Sequence, residues 1–549
     1  MSRFNSRRSR TLTAPSAPVT TTGARTTTYE GGAAHVREAR SELFLLAVVN
    51  MVGQQTFYEK AGDRDTRYRD LVRGLAVQDP AWTAGLLGWL RGSAQMRTAS
   101  LVGAAEFVHA RLDAGLSGYS RQVVDSVLQR ADEPGELLAH WTRAYGRALP
   151  KPVKRGVADA VRRLYTARSL LKYDTASKDF RFGDVLNLVH ASPDPAKPWQ
   201  GELFRYALDR RHHPDGAEVP ETDTTLVAHR ALTAVPVHER RALLTSPQGR
   251  ERLAAAGLTW EALAGWLQGP MDAEAWEAII PSMGLMALTR NLRNFDEAGV
   301  GDAVAEQVAA RLADPEEVRR SRQFPYRFLS ARRMVPSGRW DKALECALAA
   351  STANVPALPG RTLVLVDTSG SMLGQVSAKS MIRHVDVGAL FGVALAARGC
   401  EVDLWGFADR AFRHELVKGG PVLRQTEAFC ERVGEVGYGT ETVAALRQAY
   451  RGHDRVVIVS DMQAFAHPGH GGPSAREWGP RGWQRRNVSV SEAVPAHVPL
   501  FGIDTTGYAK ASIDTGAPHR YEVGGFSDQL FTMVDLLSRG MDAGWPWEA

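Results

Sequence analysis

The sequence predicts two folds in series, an α helical-repeat, HEAT-like domain followed by an α/β domain built on a doubly wound parallel sheet. Three observations predict this. Residues from about 41 to 350 hold apolar clusters such as Leu43-Phe44-Leu45-Leu46 and Leu86-Leu87-Gly88-Trp89-Leu90, with almost no strand alternation. Breakers at Pro80, Pro134, Pro150, Pro193, Pro236, Pro270 and Pro281 divide that segment into helices of roughly 10 to 18 residues. Beyond the Pro/Gly hinge Val355-Pro356-Ala357-Leu358-Pro359-Gly360, continuous apolar strands alternate with helices, as in a parallel sheet covered on both faces. No fixed-period repeat is present, so the helical repeat rests on element order.

A chain of 549 residues is long enough for two or more cores. With 44% hydrophobic and 23% charged residues it has the composition of a folded protein, not of a disordered one. Cys346, Cys400 and Cys430 are odd in number and form no CxxC pair, which excludes a disulfide framework or zinc ribbon and fits a reducing, cytoplasmic setting. The longest apolar run, Val387 to Ala397, is about half the roughly 20 residues needed to cross a bilayer, so a soluble protein is expected. Arg3, Arg7, Arg8, Arg10 and Arg25 precede Glu30, the first acid, and no apolar core of a secretory signal accompanies them. The expected organisation is a disordered basic arm over 1–30, a helical-repeat domain over 31–355, and an α/β domain over 360–545.

In the second domain the expected order is strand Thr362–Val366, helix Val387–Ala397, strand Val402–Phe407, helix Thr440–Tyr450, strands Val456–Val459 and Val498–Ile503, and a closing helix Ser527–Ser538. Ligands of such sheets sit at the carboxyl ends of the strands. There Asp367-Thr368-Ser369-Gly370-Ser371 follows one buried strand, Ser460-Asp461 follows another, and Thr440 follows Gly437-Tyr438-Gly439 at a helix start. Two carboxylates and three hydroxyls form an all-oxygen set, suited to Mg²⁺ or Mn²⁺ and unsuited to structural zinc. An aspartyl-phosphate enzyme would want a second acid where Ser369 stands. His467-Pro468-Gly469-His470 lacks further ligands and reads as loop, and Asp272, Glu274 and Glu277 read as an acidic helix start. Neither a GxxxxGK[ST] loop nor a GxSxG elbow occurs, so catalysis is not expected.

Charge is concentrated. Lys151 to Arg211 carries thirteen basic and seven acidic side chains, a surplus equal to the +6 of the whole chain, and Arg319 to Arg339 holds seven arginines and no acid. Arg290 and Arg293 recur at i, i+3 beside Asn291 and Asn294, which predicts a shared polar helix face above buried Leu288 and Leu292.

The DxSxS run resembles the metal-ion-dependent adhesion site of von Willebrand factor A domains, and Asp367, Ser369, Ser371, Thr440 and Asp461 match that pattern. The helical part is similar to the TROVE domain of Ro autoantigen-type ribonucleoproteins. The matching stretches are Thr56-Phe57-Tyr58, Phe182 to Pro193, Met286 to Asn294 and Phe324-Pro325-Tyr326-Arg327-Phe328. The resemblance implies a monomeric helical-repeat ring plus a von Willebrand factor A domain. It also implies Y-like noncoding RNA on the ring surface, single-stranded 3′ ends of misfolded RNA in a central hole, and a role in RNA quality control alongside polynucleotide phosphorylase. Lys172 and His190 match the Y RNA surface, with Lys178 and Arg181 between them, and Arg290 and Arg293 would line the hole. The competing expectation is a metal-dependent protein-binding adaptor, a helper of an AAA+ ATPase, with the helices as scaffold.

Overall fold

A computed structural model describes residues 19–49, 55–56, 58–214, 216–352, 355, 357–377, 380–463, 476–479, 482–485, 489–524, 534–535, 537–538 and 544–548. Phe57, His467 to His470, Pro356 of the hinge, the arginines before position 19 and much of the expected closing helix lie outside these residues. The chain forms two compact units. One comprises 51–55 and 60–353, and the other comprises 1–50, 56–59 and 354–549.

The first unit is helical throughout. Two of the prolines that break the sequence pattern, Pro80 and Pro134, start helices instead, and Pro152, Pro198, Pro247 and Pro315 likewise lie in first turns, where the missing N–H removes no helical hydrogen bond. The helix Lys151–Leu164 shows how patterning sets its orientation. Val153, Gly156, Val157, Ala160 and Val161 are buried at i, i+3, i+4, i+7 and i+8, while Lys151 and Arg155 face water. Gly156 is required by close approach, because a Cβ there would lie 2.6 Å from the Arg121 carbonyl oxygen on the neighbouring chain segment. Late in this unit the Arg322 guanidinium donates to the Gly92 carbonyl at 3.4 Å, tying its last third to its first helices.

The second unit is built on strands β1 (Thr21–Thr27), β2 (Ala33–Arg37), β3 (Arg361–Asp367), β4 (Glu401–Phe407), β5 (Ala411–His414), β6 (Arg455–Ser460), β7 (Arg476–Gly479), β8 (Gly482–Arg485), β9 (Leu500–Asp504), β10 (Lys510–Ala511) and β11 (Arg520–Gly524). Its main sheet has the order β11-β9-β6-β3-β4-β5, parallel except for β5, which pairs antiparallel with β4. Leu363 and Leu365 of β3 belong to the core on one face, with Val456 and Ile458 of β6 and Ala445, Leu446 and Ala449 of the helix Thr442–Ala449. On the other face Gly388 and Gly392 let the helix His384–Ala397 sit close to the sheet. A Cβ on Gly388 would lie 2.8 Å from Val366 Cγ1 and one on Gly392 2.6 Å from Leu404 Cδ1.

Two sequence expectations are corrected at the amino end. The basic arm expected over 1–30 contains β1, whose threonine-rich, β-branched composition favours extended chain. The helical domain expected from 31 does not begin there. β2 pairs with β1 and β10, and β2 and the helix Ala39–Val49 belong to the α/β unit. Arg37 explains the attachment. Its buried guanidinium donates to Asp504 at 2.7 Å and to Glu522 at 2.6 and 2.9 Å, and both acids are fully buried, Asp504 at the end of β9 and Glu522 in the middle of β11.

Candidate functional site

β3 and β6 are adjacent, and the chain winds outward from them in both directions, so their carboxyl ends mark the switch point of the sheet. Asp367 ends β3 and Asp461 follows β6. Asp367 Oδ1 accepts the Ser369 N–H at 2.8 Å and its Oδ2 accepts the Ser460 hydroxyl at 2.6 Å. The Ser369 and Ser371 hydroxyls are 3.1 Å apart. Gly370 N–H donates to the Tyr438 carbonyl at 3.0 Å, which brings the loop bearing Thr440 against this turn. That loop needs Gly437, whose φ is +90° and where a Cβ would meet Asp409 at 1.8 Å. All five residues of the sequence pattern are buried.

The electrostatics are unbalanced. Asp461 Oδ1 accepts the Gln463 N–H at 3.2 Å, whereas Oδ2 is buried with no hydrogen-bond partner. Burial pushes the Asp367 carboxyl up, and burial together with the Asp367 charge pushes Asp461 up further. Two neighbouring carboxyls, one with an unpartnered oxygen, beside serine hydroxyls form a donor set that fits a hard divalent cation. Among the described residues no cluster of three or more His, Cys, Asp or Glu side chains is placed to hold a metal ion, so any cation here must also rely on the hydroxyls.

The basic residues divide into two groups. Arg181 is engaged internally, through 2.8 and 3.3 Å hydrogen bonds to buried Asp174, and Lys178 lies 3.3 Å from Glu136 and 3.6 Å from Asp132. Lys178, Asp132 and Glu136 line a cleft of about 230 Å³ with Tyr165, Tyr173 and Phe182. Lys172 is exposed with its Nζ 5.1 Å from the Tyr173 ring centroid. His190 is exposed at the C-cap of the helix Phe182–Val189 in the left-handed region, φ 53°, whereas Arg181 is the N-cap. Eight helical residues separate these caps by about 12 Å, so they belong to opposite ends of one helix.

Arg290 and Arg293 are exposed on the helix Leu285–Glu297, and Arg293 pairs with Glu297 at 3.3 Å. The expected asparagine partners are placed differently. Asn291 is buried and donates to the Ala287 carbonyl, and Asn294 donates to Asn291, so the amides brace the helix inside. Sequence reasoning did not single out Lys151, Arg155 and Arg168. All three are exposed and form no ion pair among the described residues, and the helical burial pattern of 151–164 was the signal that could have found the first two.

The sequence model of the TROVE domain matches residues 258–339. The RNA-binding protein RO60 of Caenorhabditis elegans is 30% identical over 183 residues, covering 30% of this chain and 28% of that protein. The RNA-binding protein RO60 of Deinococcus radiodurans is 26% identical over 373 residues, covering 62% of this chain and 65% of that protein. The matches thus span less than two thirds of either relative. The crystal structure of the Deinococcus radiodurans RO (RSR) protein superposes with a TM-score of 0.58 at 19% identity, over 92% of this chain and all of that one. At that identity the likeness shows a shared fold, helical repeats joined to a von Willebrand factor A-like α/β unit.

Proposed function

We propose that this chain is a TROVE-domain protein of the Ro type and acts as a non-enzymatic, cytoplasmic RNA-binding subunit. The observation that carries the reading is the exposed basic surface of the helical unit. Lys151, Arg155, Arg168, Lys172 and His190 lie within one stretch of sequence and, among the described residues, have no acidic partner. Such cations neutralise phosphates and release counterions, which gives affinity without reading sequence. Lys178 and Arg181, already paired with acids, hold the 174–181 loop in shape and contribute little direct phosphate binding. A Y-like noncoding RNA is the proposed resident partner, and misfolded RNA with an unpaired 3′ end is the proposed client, gripped with help from Arg290. A client of this kind suits cations that follow a backbone, because single strands leave phosphates accessible from all sides. Hand-over to a degradative enzyme such as polynucleotide phosphorylase would complete a quality-control role.

The α/β unit is proposed to hold Mg²⁺ or Mn²⁺ through Asp367, Ser369, Ser371, Thr440 and Asp461. When bound, the cation supplies positive charge that can accept an external carboxylate. The unpartnered Asp461 Oδ2 favours this second, protein-binding capacity in addition to RNA binding.

The two are separable by one experiment. Protein purified at low salt is expected to carry RNA, raising A260/A280. With roughly six phosphate contacts, affinity for that RNA should fall about a thousandfold between about 50 and 200 mM salt. EDTA should leave RNA binding intact. RNA binding that EDTA abolishes, or that salt leaves unchanged, would overturn the assignment.

A further inference from the structure

All five proposed metal ligands are at most 5% exposed, yet a site that receives a partner's carboxylate must present an open face. Part of what covers it comes from the other end of the sequence. Tyr58, on the 56–59 segment that joins the α/β unit, lies beside Ser371 and close enough to Asp461 to feel its charge. Its phenol donates to Glu30 Oε1 at 2.5 Å, and its ring stacks on Tyr29 at 4.9 Å with 4° between planes. Tyr508, fully buried, meets Tyr58 edge-on at 5.6 Å and accepts the Tyr58 N–H at 3.4 Å. The Tyr29 N–H donates in turn to Gln463 Oε1 at 3.0 Å, and Gln463 N–H donates to Asp461. The tyrosine cluster and the turn bearing the proposed metal ligand Asp461 are therefore one hydrogen-bonded assembly.

We infer that Tyr58 is a built-in cap on the metal site, latched by Glu30, which competes with an external carboxylate for the face above Ser371. The inference rests on the metal reading given above. The Ser371 hydroxyl has one proton and lies 3.1 Å from the Ser369 hydroxyl, with the Tyr58 phenol beside it, so the phenol occupies the side of Ser371 that an incoming group would use. A hydrogen bond to the Glu30 carboxylate is charge-assisted and stronger than a neutral one, which holds the phenol in place. Glu30 itself stands one phenol away from the site. A partner carboxylate must displace this arrangement, so the chain sets a threshold that only a well-placed acidic group overcomes.

The test uses the full chain with Mn²⁺, followed by loss of the free-ion EPR signal, and acetate, followed by Mn²⁺-induced relaxation of its methyl protons. Tyr58→Phe keeps the stacked ring and removes the hydroxyl, and Glu30→Gln weakens the latch. Both variants are expected to bind Mn²⁺, and acetate affinity for the Mn²⁺-loaded protein is expected to rise about tenfold in Tyr58→Phe and less in Glu30→Gln. Asp461→Ala should lose Mn²⁺ binding. Acetate affinity that is unchanged or weaker in both cap variants, with Mn²⁺ still bound, overturns the cap and leaves the metal reading standing. A wild-type chain that binds no Mn²⁺ overturns the metal reading, and the cap falls with it.

Discussion

Asp367 and Asp461 share a site in which burial and mutual charge favour the protonated form. Two consequences follow with defined sign. Because a cation needs ionised carboxylates, its binding must expel protons, so Mn²⁺ affinity should increase from about pH 6 to about pH 8, with proton release visible by calorimetry in buffers of different ionisation enthalpy. In metal-free protein the folded state holds protons that the unfolded state has released, so stability should fall as pH rises through that window, and Mg²⁺ should restore it. Asp132 behaves oppositely. Burial would raise it, but hydrogen bonds and charge from Arg130, with Arg97 and Lys178, hold it down to about 2. Its contribution is present above the ordinary carboxylate range and lost as pH falls through about 2, so pepsin should begin to cleave the 174–181 loop only near that pH. Lys178→Ala should move the onset upward. The clustering of Asp367, Ser369 and Ser371 was legible because they form a local motif whose spacing survives folding. The pairing of Lys178 was not, since Asp132 and Glu136 lie some forty residues away in sequence.

At the scale of elements, the attachment of β2 depends on a buried ion triad. Arg37→Met would leave Asp504 and Glu522 buried without their cation, a change expected to cost about 3–5 kcal/mol in denaturant unfolding. The helix His384–Ala397 packs through its two glycines, so Gly388→Val should destabilise by about 1–3 kcal/mol through overpacking against Val366 and Val459. Strands β3, β4, β6 and β9 were legible as apolar runs. β5 and β11 were not, because each is short and lies at an edge where burial imposes a weaker pattern. β1 and β2 were hidden for another reason. Among the described residues β1 pairs only with β2, while the second partner of β2, β10, and the acids of β9 and β11 that hold Arg37 lie more than 450 residues away, beyond any local periodicity.

At the scale of the molecule, charge distribution makes the RNA assignment testable by substitution. Lys172→Glu combined with His190→Ser should weaken binding of the co-purifying RNA by roughly a hundredfold and lower the magnitude of the salt slope by about 1 to 2. Asp367→Ala should leave RNA binding unchanged in a filter-binding assay. The division into helical repeats and α/β sheet was readable from element order and the hinge near 355. The boundary at the amino end was not, because the α/β unit is discontinuous in sequence.

That discontinuity also sets a schedule for biogenesis. Arg37 leaves the ribosome 467 residues ahead of Asp504, an interval of roughly 25 to 90 s at about 5–20 residues per second. Throughout it, β1 and β2 present unsatisfied backbone edges and a guanidinium with no counterion, while the helical repeats can already pack against one another. The nascent chain therefore waits for its last tenth to close a fold that its first tenth began. Truncation shortly before β9 should yield a folded helical core trailing a sticky amino terminus, recoverable by supplying chaperone during translation.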